Sequence, residues 1–270
     1  MSLSRLIARK SLTVLGLNSG TSADSLDMAV VRFSASPRNP RIRFLGGAEK
    51  RLPAGLRQQI LELADTREID LDELIYLDNL LGRFYGRAAA EYLRALEKSG
   101  VRVDLIASHG QTVRHLPQKV KRLGAAVRGT MQLGSPEFVA TLTDRPVVSD
   151  FRQADVALGN EGAPITVAAM QRLFASGADP VLLVNIGGIA NYFYFPVPRA
   201  RMIPLAEDCG PGNCLSDILS ESLYGRRFDR HGVRARRGVC SMRLLSLLLA
   251  NPFFAGKSVS TGREQFGRHL

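Results

Sequence analysis

The sequence predicts an α/β protein, because three patterns recur along its 270 residues. Short apolar, β-rich runs alternate with longer stretches whose apolar residues return at helical spacing. Polar and glycine-rich clusters gather directly after the apolar runs, where α/β proteins bind ligands beyond the carboxyl ends of strands. The run Pro180–Ile186 is almost wholly apolar and stops at Gly187-Gly188, as expected of a strand buried on both faces.

Leu12–Gly16 and Leu26–Phe33 read as strands joined by a Gly/Ser/Thr turn, which makes them a hairpin. Arg41–Leu45 is a third strand. Pro53–Ala64 has helical periodicity, with the proline near the start where its missing N–H is harmless. Leu71–Leu96 is a long amphipathic helix ending at Gly100, and Leu105–Ser108 is a short strand of buried type. Ser135–Thr143 fits a helix with Ser135 as cap, Pro136 in the first turn and Glu137 behind it. Pro146–Ser149 is a strand that ends at Asp150, and Gly162–Phe174, Cys214–Leu223 and Val239–Leu249 read as helices. A boundary near Ser149 divides the chain into an N-terminal α/β lobe, residues 1–148, and a second α/β lobe, residues 149–270.

Composition narrows the function classes. With 45% hydrophobic and 23% charged residues the chain is an ordinary soluble globular one. No apolar run approaches the roughly 18 residues of a membrane span, so no membrane partner is expected. Cys209, Cys214 and Cys240 are too few and too unevenly spaced for a disulfide framework or a zinc cluster, which suits a reducing, cytoplasmic location. The net charge of +11 raises nucleic acid as a partner. The basic residues, however, lie in dispersed short groups (Arg5–Lys10, Arg38–Arg43, Arg114–Arg128, Arg226–Arg237) without interleaved aromatics, so nucleic acid is not expected. Anionic small-molecule substrates also suit this charge.

Three segments could carry chemistry. In the first, Gly20-Thr21-Ser22-Ala23-Asp24-Ser25-Leu26-Asp27, small residues let backbone N–H groups approach phosphate oxygens and hydroxyls add donors. Asp24 or Asp27 could hold a magnesium ion, directly or through water. A polar hairpin turn explains this segment equally well when it is taken alone. The second, Asn185-Ile186-Gly187-Gly188-Ile189-Ala190-Asn191, is another glycine turn after a strand, and the two turns together suggest a two-sided phosphate clamp. In the third, Asp208 precedes the rigid turn Gly210-Pro211-Gly212 and a helix, so its carboxylate can be aimed at a substrate oxygen or a water; Asp is also a common turn residue. His109, Gln111, Asp150 and Arg152 at strand ends supply directional donors and acceptors of the kind sugar hydroxyls require.

Taken in order, these segments resemble the anhydro-N-acetylmuramic acid kinase family. The resemblance runs from Ser19-Gly20-Thr21-Ser22 with Asp24 and Asp27, through Ser108–Thr112 with Arg114, His115 and Pro117, to Asp150-Phe151-Arg152 with Asp155. It continues through Gly162-Ala163-Pro164, Asn185–Asn191 and Asp208–Asn213, to Asp229, Gly232, Ala235 and Gly238, and closes on Ser260–Glu264 with Phe266. It implies a two-lobed actin-like (ribonuclease H-like) fold with ATP in a central cleft. The implied reaction opens the 1,6-anhydro ring of anhydro-N-acetylmuramic acid and phosphorylates O6, giving N-acetylmuramate 6-phosphate in peptidoglycan recycling. Asp208 would be the base that activates water. Residues Gly20 to Asp27, with Gly187 and Gly188, would hold ATP, Asp24 would bind Mg2+, and His109, Gln111 and Asp150 would contact the sugar. A homodimer is left open.

Two departures carry consequences. Ser25 stands where the family has glycine, and Glu161 where it has a neutral amide. The family also continues for roughly a hundred residues, a domain's worth, beyond the segment matching Ser260–Glu264. The resemblance therefore implies truncation at the C-terminus and an incomplete second lobe, and the alternative function is an inactive sugar- or nucleotide-binding remnant of such a kinase.

Overall fold

The computed structural model describes residues 6, 8–20, 22–34, 41–66, 68–175, 177–197, 203–255 and 266. Two compact units emerge, Met1–Ala163 and Pro164–Leu270. The division falls at 163/164 and not at 148/149, because the helix after Asp150 packs against the long hairpin of the first unit.

The first unit is built on a five-stranded sheet. Its strands are β1 (Ser11–Ser19), β2 (Ser25–Ser34), β3 (Ile42–Arg51), β4 (Leu105–Ser108) and β7 (Val147–Val148), in the order β3-β2-β1-β4-β7. The first three are antiparallel neighbours, whereas β1, β4 and β7 run parallel. Burial alternates strictly along β1 and β2: Leu15, Leu17, Leu26, Met28 and Val30 face the core and their neighbours face away.

Helices α1 (Ala54–Asp65) and α2 (Leu71–Lys98) contribute to the core of this unit. Asp70 caps α2 by accepting the N–H of Asp72 at 2.9 Å, and Leu77, Leu81, Tyr85, Ala88, Ala89, Leu93 and Leu96 make one buried face. Helix α3 (Pro136–Thr143) crosses α2 where Gly82 and Gly86 leave room: a Cβ on Gly86 would lie 2.7 Å from Leu142 Cδ1 and 2.8 Å from the Phe138 carbonyl oxygen. The cap of α3 differs from expectation. The Ser135 hydroxyl donates to Glu137, and Asp78 on α2 instead accepts the N–H groups of Gly134 and Ser135, at 2.7 and 3.1 Å.

The basic stretch after Gln111 is a hairpin of β5 (Gln111–Arg122) and β6 (Ala125–Leu133), and α4 (Phe151–Ala157) packs against it. The hairpin turns at Leu123-Gly124, both with positive φ (47° and 81°). That is the backbone of a tight primed turn, but without the Asn-Gly or Asp-Gly that would announce it.

The second unit holds α5 (Val167–Phe174), a three-stranded antiparallel sheet of β8 (Val181–Ile186), β9 (Ile189–Phe195) and β10 (Leu205–Pro211), and helices α6 (Asn213–Tyr224), α7 (Met242–Leu249) and α8 (Pro252–Ala255). Phe253 and Phe266 meet edge to face, 5.3 Å between centroids, over the buried Cys214. The expectation that Pro180–Ile186 is buried on both faces is corrected: β8 is an edge strand, and Leu182, Val184 and Ile186 are exposed. The motif Ser260–Glu264 lies outside the described residues.

Two glycines in helices should respond in opposite ways to alanine. Gly55 in α1 has open space around it, so Gly55→Ala should stabilise by about 0.5–1 kcal/mol. Gly86→Ala should destabilise by about 1–3 kcal/mol despite better helix propensity, because the methyl group meets backbone. Urea unfolding of both variants measures the difference.

Candidate functional site

The first unit presents the Gly20–Asp27 turn between β1 and β2. Thr21 lies outside the described residues. The Ala23 N–H donates to the Gly20 carbonyl at 2.9 Å, and Ala23 is fully buried with φ 48°. A left-handed conformation is uncommon for alanine and is tolerated here inside a packed turn. The positive φ thus falls on Ala23. Ser25 is the first residue of β2 and is not among the residues of positive φ, so the serine imposes no strain where the family has glycine. Leu26 faces the core, and Ser22, Asp24 and Ser25 are half-buried.

Asp24 was expected to bind magnesium. Its Oδ1 accepts a hydrogen bond from Arg57 Nε at 2.9 Å in an ion pair that ties the turn to α1. A carboxylate oxygen already held by a guanidinium is a poor direct ligand for a small cation that demands near-ideal octahedral oxygens. Among the described residues there is no cluster of three or more His, Cys, Asp or Glu able to hold a metal. Asp24 thus has a structural role in holding the turn to α1. Asp27 lies on the exposed face of β2 opposite Glu49 of β3; partial burial, and then the Glu49 charge, raise its pKa.

A second group of motif residues converges past the end of β4. Its strand register carries the His109 N–H to the Leu17 carbonyl of β1 at 2.9 Å. Arg152 on α4 donates through Nε to His109 Nε2 and through Nη1 to the Gly162 carbonyl, each at 2.8 Å. Since Nε2 accepts, the imidazole proton sits on Nδ1, 2.9 Å from the Gly110 carbonyl. Burial, reinforced by the Arg152 charge, lowers the His109 pKa, while the Gly110 carbonyl works the other way. The same two causes, burial first, lower that of His115. Asp155 accepts the Gly162 N–H at 2.9 Å, and Gly162 has φ 79°, so the glycine is needed where the loop turns back on α4. Glu161 is paired with Arg128 at 3.6 Å, which neutralises the charge that departs from the family.

The three residues expected to touch sugar fare differently. Asp150 is exposed at the N-terminus of α4 with φ 59°, an uncommon conformation of the kind found at functional positions. Both ring nitrogens of His109 are engaged, so it orients Arg152. Gln111 is corrected: only 1% exposed, it faces inward, and its Oε1 accepts from Ser19 Oγ at 2.6 Å while Nε2 donates to Gly20. Sequence reasoning placed Ser19 in the first motif without a role and missed Tyr85, which on α2 looks like an ordinary inward-facing position.

In the second unit the glycine turn and the Asp208 motif form one structure. Asp208 pairs with Asn191 across β10 and β9, and the ladder slips between Asp208 and Gly210. Such a bulge re-aims side chains next to it. The carbonyls of Gly187 and Gly188 accept the N–H groups of Gly212, Asn213 and Cys214 at 2.7–3.1 Å, so the start of α6 is capped by the turn. Gly212 permits this approach: a Cβ there would sit 2.4 Å from the Gly187 oxygen. The expected phosphate role of Gly187 and Gly188 thus rests on groups other than these carbonyls.

The antiparallel β1-β2-β3 ribbon continued by parallel β4 and β7 makes the first unit a ribonuclease H-like α/β domain of the actin-like ATPase class. The family model for anhydro-N-acetylmuramic acid kinase matches residues 12–269. A relative of that name from Caldanaerobacter subterraneus subsp. tengcongensis is 34% identical over 98% of this chain and 68% of its own length. Relatives of the same name from Saccharophagus degradans and Variovorax paradoxus are each 37% identical over 93% of this chain and 66% of theirs. This chain belongs to the anhydro-N-acetylmuramic acid kinase family. It spans about two thirds of the length of the curated relatives it matches.

The His109 geometry makes a pH prediction. A histidine held neutral binds fewer protons folded than unfolded, so stability should fall as pH drops below about 6.5 toward the lowered folded pKa. NMR titration should place the His109 midpoint below the ordinary value. The loss of stability between pH 7 and pH 5 should be smaller in His109→Gln, read from urea unfolding at each pH.

Proposed function

We propose that this chain acts in an ATP-dependent kinase that opens the 1,6-anhydro ring of anhydro-N-acetylmuramic acid and phosphorylates O6. The observation that carries this reading is the family match over residues 12–269. The convergence of the quoted motifs on two compact sites supports it.

Asp208 is the proposed base. It takes a proton from water as the water oxygen bonds to C1 of the sugar and the C1–O6 bridge breaks. The freed O6 attacks the γ-phosphorus of ATP, and the bond to the β-phosphate oxygen breaks to release ADP. The turn Gly20–Asp27 is the proposed phosphate-binding element, with backbone and hydroxyl donors that offset the developing charge. Asp150, and Arg152 as oriented by His109, are the proposed sugar-side groups. Magnesium, if used, would supply charge neutralisation at the phosphates. Arg57 supports the turn through Asp24. The product would be N-acetylmuramate 6-phosphate, made in the cytoplasm.

Transfer of radiolabelled phosphate from ATP to anhydro-N-acetylmuramic acid tests the reading. Turnover is expected in the wild-type chain, with a fall of about 10²–10⁴-fold in Asp208→Asn. Sugar binding without turnover in the wild type would contradict it.

A further inference from the structure

The turn that meets the solvent rests on a polar layer with no access to it. Ser19, Tyr85 and Gln111 are 4%, 0% and 1% exposed. Buried polar side chains are costly unless paired, and an apolar core residue at position 111 would avoid that cost. Here the glutamine amide is fully used. Oε1 accepts from Ser19 Oγ at 2.6 Å, and Nε2 donates to the carbonyls of Gly20 and Thr112, each at 3.2 Å.

The two backbone carbonyls, which can only accept, fix which end of the amide points where, and the Ser19 proton satisfies Oε1. With the amide reversed, Oε1 would confront two carbonyl oxygens. Ser19 in turn lies beside the Tyr85 phenol. The phenol has no well-formed hydrogen bond among the described residues, yet the nearby Ser19 hydroxyl partly offsets the rise in pKa that burial imposes on it.

The consequence falls on Gly20. Its carbonyl oxygen receives the Gln111 amide at 3.2 Å and the Ala23 N–H at 2.9 Å. A carbonyl pinned inward by two donors cannot swing outward, where its partial negative charge would repel a phosphate. Glycine, with no Cβ, is the residue for which such a swing is easiest.

We propose that Gln111 is a positioning residue for the Gly20–Asp27 turn, with its Oε1 held by Ser19. It keeps the Gly20 carbonyl inward, where its partial negative charge does not oppose an anionic polyphosphate approaching the turn. This rests on the phosphate reading of that turn. Gln111 acts through Gly20 and touches neither ATP nor sugar.

The test uses ATP and inorganic tripolyphosphate as probes, titrated calorimetrically into the full chain below its unfolding temperature. Gln111→Glu keeps the shape but sets a carboxylate oxygen against the Gly20 carbonyl. Affinity for both probes should fall at least about tenfold. Ser19→Ala, which leaves Oε1 without its donor and loosens the side chain, should lose a few-fold, and Ser19→Thr should recover it. Leu93→Ala, buried in the same core on α2, supplies the comparison for instability alone: it should lower Tm and leave both affinities at wild-type values.

A Gln111→Glu protein that loses Tm and binds both probes like the wild type overturns the proposal. If Gln111→Glu does not fold, equal affinities in Ser19→Ala and Ser19→Thr overturn it. A wild-type chain that binds neither probe removes the phosphate reading of the turn itself, a different and separable failure.

Discussion

The carbonyl oxygen of Gly20 accepts one hydrogen bond from its own turn and one from a side chain ninety-one residues away in sequence. Most of the first unit is arranged so that this second bond can exist. Parallel pairing of β1 with β4 sets Leu17 against Ser108, which brings the residues after β4 beneath the turn. The buried face of α2 brings Tyr85 to the same layer, and Gly82 and Gly86 let α3 pack closely against that helix. The turn is therefore supported by tertiary structure as well as by its own Ala23–Gly20 hydrogen bond.

The same economy governs the second unit. Gly212 has no side chain because the Gly187 carbonyl occupies the space a Cβ would fill. That contact lets the turn cap α6 directly and fixes the ladder in which Asp208 sits. Glycine here serves close approach, whereas at Gly162 it serves a positive φ. Two motifs that are more than twenty residues apart in sequence are one mechanical object.

Much of the fold was legible. The β1-β2 hairpin, α2 and β4 follow directly from apolar periodicity, since each buries one clean face. The β5-β6 hairpin was not, because its basic strands lack alternation and its Leu123-Gly124 turn lacks the usual residues. β8 misled for the opposite reason: a continuous apolar run says nothing of whether neighbours cover it, and here Leu182, Val184 and Ile186 are exposed. In the site, small and charged residues after strands marked the right segments. Their roles were less legible. A glutamine after a strand looks the same whether it faces a sugar or a backbone carbonyl, and only the long-range partners Ser19 and Gly20 decide for Gln111. Asp24 likewise carries an ion pair to Arg57 that its place in the turn does not announce.

The proposed phosphate-binding turn is already formed before any ligand arrives. Amide hydrogen exchange at Ala23 in the nucleotide-free protein measures this directly, because its N–H is buried and bonded to Gly20. The account predicts protection close to that of core amides in β1 such as Leu15. Exchange at the rate of an unstructured loop would contradict it.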